Sequence, residues 1–202
     1  MCNLYSLILG QAAIRAFTQA MRDTTGNLPM LPGIFPDTMA PVVYVTCNGD
    51  RELAMMRWGF PPPPNVGGRP ITNVRNLDSP FWRNALTAQA RRCIVPVTRF
   101  CEWTAEPDPA TKRKAKVWFG LNEGADPLFA FAGLWRPGDQ KSEEPYMAFL
   151  TCEANEIVGP IHPKAMPVML RPDETERWLT AERADACALA QPFAATEMRV
   201  LS

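Results

Sequence analysis

Arg92-Cys-Ile-Val-Pro-Val-Thr-Arg-Phe-Cys-Glu-Trp103 is the stretch whose reading decides the fold. Residues 92–97 are β-branched and apolar, and residues 100–104 follow after a break of two residues. Short apolar runs of this kind, bounded by turn residues, read as strands. Further runs of the same character occur at 116–121, 128–134, 146–152 and 166–170. Upstream, Pro41-Val-Val-Tyr-Val-Thr-Cys47 faces residues 52–58 across Asn48-Gly49, a favoured tight-turn pair. Helices are fewer. Ile14, Phe17 and Met21 at i, i+3 and i+7 predict one over 11–22. Ser79-Pro80 ahead of Phe81, Trp82, Ala85 and Leu86 supplies an N-cap, a proline at the first helical position and an apolar face. Residues 173–180 and 182–190 read as helices, and 196–201 as a strand that closes the sheet. Residues 26–37 and the run Pro61–Pro64 with Gly67-Gly68 read as loops. Strands outnumber helices and are mostly hairpin-linked, so the expectation is an α+β fold. It is one domain over 1–202, with a largely antiparallel, barrel-like core and peripheral helices.

Composition narrows the function classes. Hydrophobic residues make up 47% of 202, which permits a sizeable core. Lys and Arg number 21 and Asp and Glu 21, so no global field draws a polyanion, and nucleic-acid binding requires a local patch. No run approaches the ~18 apolar residues of a membrane span, and the N-terminus lacks the pattern of a signal peptide. A cytoplasmic, membrane-free protein is expected. The six cysteines (2, 47, 93, 101, 152, 187) form no C-x-x-C pair and only one histidine exists. No metal site and no cofactor are expected. Most thiols should be buried and inert.

Cys2 stands apart because removal of Met1 would leave it as the chain terminus. It would then carry an α-amine, with an ordinary pKa of about 7.7–8.0, beside a thiol near about 8.5. Such a 1,2-aminothiol takes an aldehyde as a Schiff base that the sulfur closes to a thiazolidine. Alternatively, the thiol attacks a peptide carbonyl, as in N-terminal nucleophile hydrolases. The bland alternative is an incidental small residue. His162 is the only imidazole, so imidazole acid–base chemistry must use it. It sits in Gly159-Pro-Ile-His-Pro-Lys-Ala-Met-Pro167, a rigid turn that also carries Lys164. A structural, hydrogen-bonded histidine is the competing reading. Glu102 shares a strand face with Phe100 and Thr104, with Cys101 and Trp103 opposite. It is either a partly buried acid–base carboxyl or the partner of Arg99 or of an arginine on a neighbouring strand. Asn73 and Arg75 in Thr72-Asn-Val-Arg-Asn76 project to one side and suit a phosphate or sugar oxygen, or else cap a loop. Lys112-Arg-Lys-Ala-Lys116 reads as a solvated hairpin tip that could touch phosphate. Trp58, Trp82, Trp118, Trp135 and Trp178 read as core.

Together and in order, these segments resemble the SRAP family, the SOS response-associated peptidases. The resemblance rests on Met1-Cys2, Arg57-Trp-Gly-Phe60, Asn73-Val-Arg75, the 92–103 stretch and His162-Pro-Lys-Ala-Met-Pro-Val-Met-Leu170. It implies a β-rich fold with a DNA-binding groove and a mature Cys2 that crosslinks the aldehyde of an abasic site in single-stranded DNA. The protein would be a monomer, nucleoid-associated when acting on DNA. The resemblance also implies roles. Asn73 would orient the Cys2 terminus or the sugar, Glu102 would assist ring opening and Schiff-base proton transfers, and His162 would act on the sugar oxygen. Arg75 would hold a flanking phosphate, with Arg57, Lys164 and Trp58 on the DNA-binding side. The alternatives are a cysteine peptidase, self-processing through Cys2, and a non-catalytic single-strand-binding module. The chain departs from the family where Cys-Gly-Arg is replaced by Cys2-Asn3-Leu4, where Asn76-Leu77 follows Asn73-Val-Arg75, and at Phe35-Pro-Asp-Thr-Met-Ala-Pro41. These departures point to a divergent subgroup.

Overall fold

The computed structural model describes residues 2–63, 68–124, 127–139 and 142–201. Met1, and the part of the proline- and glycine-rich loop that includes Pro64 and Gly67, lie outside the described residues. The elements run β1 (Tyr5–Leu7), α1 (Gln11–Thr18), β2 (Arg22–Asp23), β3 (Leu31–Ile34), β4 (Met39–Val45), β5 (Arg51–Trp58), β6 (Asn73–Val74), α2 (Pro80–Thr87), β7 (Arg92–Val97), β8 (Arg99–Trp103), β9 (Lys116–Leu121), β10 (Phe129–Arg136), β11 (Tyr146–Cys152), β12 (Met166–Pro167), β13 (Met169–Leu170), α3 (Pro172–Thr180), α4 (Arg183–Cys187) and β14 (Met198–Leu201).

Five strands close on themselves. β4 pairs with β5 and β7, β7 with β10 and β10 with β11, all antiparallel. A parallel contact, Tyr146 with Arg57 and Met147 with Trp58, then joins β11 back to β5. Closure leaves these strands no free edge along the ring. The β4–β5 hairpin turns where the Asn48-Gly49 pair predicts: Gly49 has φ 85° and Thr46 N–H donates to the Asp50 carbonyl at 2.9 Å. After Trp58 the chain leaves the barrel at Gly59, φ 131°, where an added Cβ would come within 2.6 Å of Pro70. Only glycine serves there.

A second, antiparallel sheet runs β14-β9-β8-β1-β3. The 92–103 stretch therefore does not make one hairpin. Its first half, β7, belongs to the barrel, and its second half, β8, belongs to the second sheet. The chain crosses between them at Thr98, whose N–H and hydroxyl both donate to the Ser6 carbonyl at 2.9 and 3.0 Å. β1 thus lies between the two layers. Tyr5 projects into the barrel, edge-on to Trp58 at 5.1 Å and to Phe131 at 5.9 Å, while Trp58 stacks on Phe149 at 5.1 Å. Aromatic pairs in this range add about 0.5–1.5 kcal/mol each beyond burial.

Several expectations need correction. The first helix stops at Thr18, because Gln19 adopts φ 55° and turns the chain so that Met21 N–H reaches the Arg51 carbonyl. Met21 is exposed rather than part of an apolar face. The segment 26–37 contains β3, despite Pro32 and Gly33. Trp58, assigned by resemblance to DNA, is fully buried, and its Nε1–H donates to the Thr72 carbonyl at 3.0 Å, so no face remains for a base. Its reading as core is the correct one, as for Trp82 and Trp178. Trp118 and Trp135 are only half-buried, under the guanidiniums of Arg99 and Arg91. Cys47 is exposed at the hairpin turn. No helix among the described residues is long and apolar enough to cross a membrane.

The helices pack outside the barrel, and a buried arginine fastens two of them to it. Arg92, 0% exposed, donates to the Leu86 carbonyl at the end of α2 at 2.8 and 3.1 Å. It also donates to the Trp178 and Ala181 carbonyls at the end of α3, at 3.1 and 2.5 Å. These are carbonyls that helix termini leave without partners. Replacing Arg92 by Met keeps the volume but strips their donors, and each buried orphan costs about 1–3 kcal/mol. We expect Arg92→Met to lose about 3 kcal/mol or more in urea unfolding. An unchanged midpoint would show that the guanidinium is dispensable.

Candidate active site

The N-terminal segment, β6, the end of β8 and the turn before β12 converge. Cys2 is held by its backbone: Asn73 Nδ2 donates to the Cys2 carbonyl at 3.1 Å and to Thr72 Oγ1 at 2.8 Å. Asn73 can do so because β6 runs parallel to β11, Asn73 opposite Phe149, which buries it at the barrel's side. On the other flank, Cys101 N–H donates to the Leu4 carbonyl at 2.9 Å, zipping the segment to β8. Cys2 Sγ lies 3.5 Å from the Leu4 carbonyl and 3.9 Å from that of Cys101. Cys2 is only 1% exposed, so the expected open terminal residue is instead a buried one. Burial pushes its thiol well above the ordinary range and keeps the sulfur protonated.

Glu102 follows Cys101 on β8 and is also 1% exposed. No arginine meets it. Its Oε2 stands 3.9 Å from His162 Nε2, and its Oε1 has no hydrogen-bond partner. Burial lifts its carboxyl to about 7, so it carries a proton for much of the time near neutral pH. Among the described residues Glu102 therefore lacks the arginine partner of the ion-pair reading. His162 sits on a turn that Asn155 organises: its Oδ1 accepts from the N–H groups of Ile157 and Val158, and His162 N–H donates to the Val158 carbonyl. The imidazole Nδ1 is 2.9 Å from the Ala165 carbonyl. A carbonyl only accepts, so Nδ1 carries the hydrogen. Burial depresses the imidazole's pKa and favours the neutral ring, whose unprotonated Nε2 lies 3.9 Å from Glu102 Oε2. A buried carboxyl that can give a proton thus faces a base that can take one.

Cys2, Asn73, Glu102 and His162 are brought together. Arg75 and Lys164 are exposed beside them, with no ion pair among the described residues. Arg57 is occupied: it bonds Glu144 and, at 2.6 Å, the Asp37 carbonyl, which ties β5 to the strand loops rather than offering it to a ligand. One residue escaped the sequence reading. Trp103 is half-exposed directly after Glu102, its Nε1–H donating to Asn3 Oδ1 at 3.1 Å and Lys116 Nζ 5.2 Å from its ring. Strand alternation already set Trp103 opposite the buried Glu102 and Phe100, and that was the available signal. Among the described residues no group of three His, Cys, Asp or Glu is placed to hold a metal ion.

Known proteins resemble this chain in sequence and in fold. The family model described as SOS response associated peptidase (SRAP) matches residues 1–202. Abasic site processing protein YoqW of Bacillus subtilis (strain 168) is 30% identical over 169 residues, covering 78% of this chain and 71% of that protein. The protein of the same name from Bacillus phage SPbeta matches equally. Among solved structures, a Bordetella bronchiseptica protein has a TM-score of 0.78 at 22% identity, covering 98% of both chains. A Bacteroides thetaiotaomicron protein has 0.79 at 20%, covering 98% of this chain and 90% of that one. These structures share the fold.

The Glu102 carboxyl has a direct consequence for stability. Its value rises from an ordinary 4.5 to about 7 on folding, so the folded protein retains a proton that the unfolded chain releases. That contribution is complete below 4.5 and is lost as pH rises through 7. Glutamine does not titrate. The stability of Glu102→Gln relative to the parent protein should therefore improve steadily across this window, as read from urea midpoints at several pH values. A pH-independent difference would mean that Glu102 is not held protonated.

Proposed function

Because the chain belongs to the SRAP family, we propose that it captures abasic sites in single-stranded DNA as a covalent thiazolidine on Cys2. The observation that carries this reading is the juxtaposition of Cys2 with a buried, protonatable Glu102 and a neutral His162.

The chemistry runs amine first. Loss of Met1 leaves the Cys2 α-amine as terminus, neutral in appreciable fraction near neutral pH. Glu102 and His162 exchange a proton with the sugar hydroxyl and ring oxygen, which opens the hemiacetal to the aldehyde. The amine nitrogen then adds to C1′. Glu102, in its acid form, protonates the resulting hydroxyl, water leaves and an iminium remains. Cys2 Sγ bonds to the same carbon while its proton passes to the Glu102 carboxylate, closing the five-membered ring. One aldehyde and one aminothiol become one thiazolidine and one water. The burial that holds the thiol protonated supports this order, since a free thiolate is not required at the start. The same burial disfavours the peptidase reading, which needs a nucleophilic thiolate at its first step. Asn73 fixes the Cys2 carbonyl and so the direction of its amine. Arg75 and Lys164 are suited to flanking phosphates, and the held Trp103 indole to stacking a base.

Protein incubated with a single-stranded oligonucleotide carrying one abasic site should give a retarded band on a denaturing gel. Cys2→Ala should abolish it. Cys2→Ser should give only an adduct that needs borohydride to persist, because the amine still forms a Schiff base. Glu102→Gln should slow adduct formation by about 100-fold. Binding without any covalent species would support a passive binding module, and peptide cleavage without adduct would support a peptidase.

A further inference from the structure

The hairpin joining β8 to β9 leaves the second sheet immediately after Glu102 and Trp103. Resting on the capture reading above, we propose that this hairpin is a cationic arm that grips the phosphate backbone of the single strand beside the site. Residues 104–116 carry Lys112, Arg113, Lys114 and Lys116 against two carboxylates, Glu106 and Asp108. The four cations are exposed and make no ion pair among the described residues. Four cations against two carboxylates leave the segment with an excess of positive charge. Asp108 is exposed, and its Oδ1 accepts from Ala110 N–H at 3.0 Å and from Thr111 N–H at 2.7 Å. Those bonds hold its carboxyl below the usual range and commit it to the turn. Thr104 pairs with Ala115 through N–H to carbonyl and through its hydroxyl, both at 3.0 Å, and Lys112 N–H reaches the Asp108 carbonyl at 2.8 Å. The backbone is thereby closed on itself while the long basic side chains project into solvent.

Placement gives the arm its ligand. Lys116 lies over the Trp103 ring, so the cationic surface is continuous with the indole, and Trp103 adjoins Glu102 in sequence. The protein has no net charge, and among the described residues Arg75 and Lys164 are also exposed near the site. A single strand that presents its abasic sugar to Cys2 must continue past Trp103. Its next phosphates then meet the hairpin cations, each contact releasing a condensed counterion.

The test uses full-length protein with Lys112→Asn, Arg113→Gln and Lys114→Gln combined; asparagine suits the φ of 57° at residue 112. Binding of a fluorescent oligothymidylate without any abasic site is titrated across a salt series, and adduct formation is measured at saturating abasic DNA. The slope of log affinity against log salt should fall by about 2, since each single-strand phosphate contact contributes about 0.7. The adduct rate at saturation should not change. Removing two cations on the helical side, by Arg83→Gln with Arg177→Gln, should leave the slope intact. If the parent protein captures abasic DNA and the triple variant keeps its slope and affinity, the arm is overturned and capture stands. If the parent protein neither binds the oligonucleotide nor forms adduct, both are overturned.

Discussion

The architecture depends on how the first residues are laid down. β1 is three residues long and would have no stability alone. It is held because the barrel and the second sheet meet on it. Tyr5 fills the barrel among Trp58, Phe131 and Phe149, while β3 and β8 pair with its two edges. Everything at the site follows from that anchoring. With Tyr5 fixed, Leu4 can only zip to Cys101, and Cys2 can only sit where Asn73 reaches its carbonyl. A chain terminus is ordinarily the loosest part of a domain. Here the first described residues are held from both flanks, Cys2 by Asn73 and Leu4 by Cys101.

Burial has opposite effects on the two groups that share this space. It holds the Cys2 thiol protonated, which shields it from oxidation and from stray electrophiles. It also holds a proton on Glu102 at a pH where an exposed carboxyl would have lost it. Both effects come from the same low-dielectric surroundings, so neither can be tuned without moving the other. Bringing an arginine to Glu102 would restore its ionised form and remove the acid. Opening the Cys2 pocket to water would free the thiolate and lower the Glu102 carboxyl together. Among the described residues no lysine or arginine pairs with this buried carboxyl, an arrangement that is costly for folding once the group ionises.

The sequence revealed local features and concealed those set by distant contacts. The Asn48-Gly49 turn, the Ser79-Pro80 helix start and the alternation around Glu102 are written in neighbouring residues, and each is where it was expected. β3 was hidden because Pro32 and Gly33 disfavour a strand, and only the edge of β1 recruits them. The early end of α1 depends on Gln19 taking a left-handed conformation that its apolar spacing does not disclose. The division of 92–103 between two sheets is a tertiary decision made at Thr98 and Ser6. Cys2, Asn73, Glu102 and His162 were singled out by their chemistry, and the fold brings them together. The burial of Cys2 was not legible, since nothing in Met1-Cys2-Asn3 says that two sheets will close around it. Trp58 and Arg57 show the reverse error: a motif groups them with the functional residues, but closure of the barrel assigns them to the core and to an ion pair.

Zero net charge gives the protein no global field, and the structure shows how its charges are distributed. Many of the arginines are engaged within the fold. Arg92 serves helix carbonyls inside the protein, Arg57 and Arg51 bind carboxylates, and Arg171 bonds Glu197 while lying over Phe193. Such guanidiniums contribute little to the field outside, because each is neutralised or screened by its partner. Their removal from the count, with the carboxylates they hold, leaves a smaller set of unpaired charges whose location matters more than their sum. Among the described residues, Arg75, Lys164 and the cations between β8 and β9 are exposed and make no ion pair. A polyanion responds to that local distribution within about a Debye length, roughly 10 Å at 0.1 M salt.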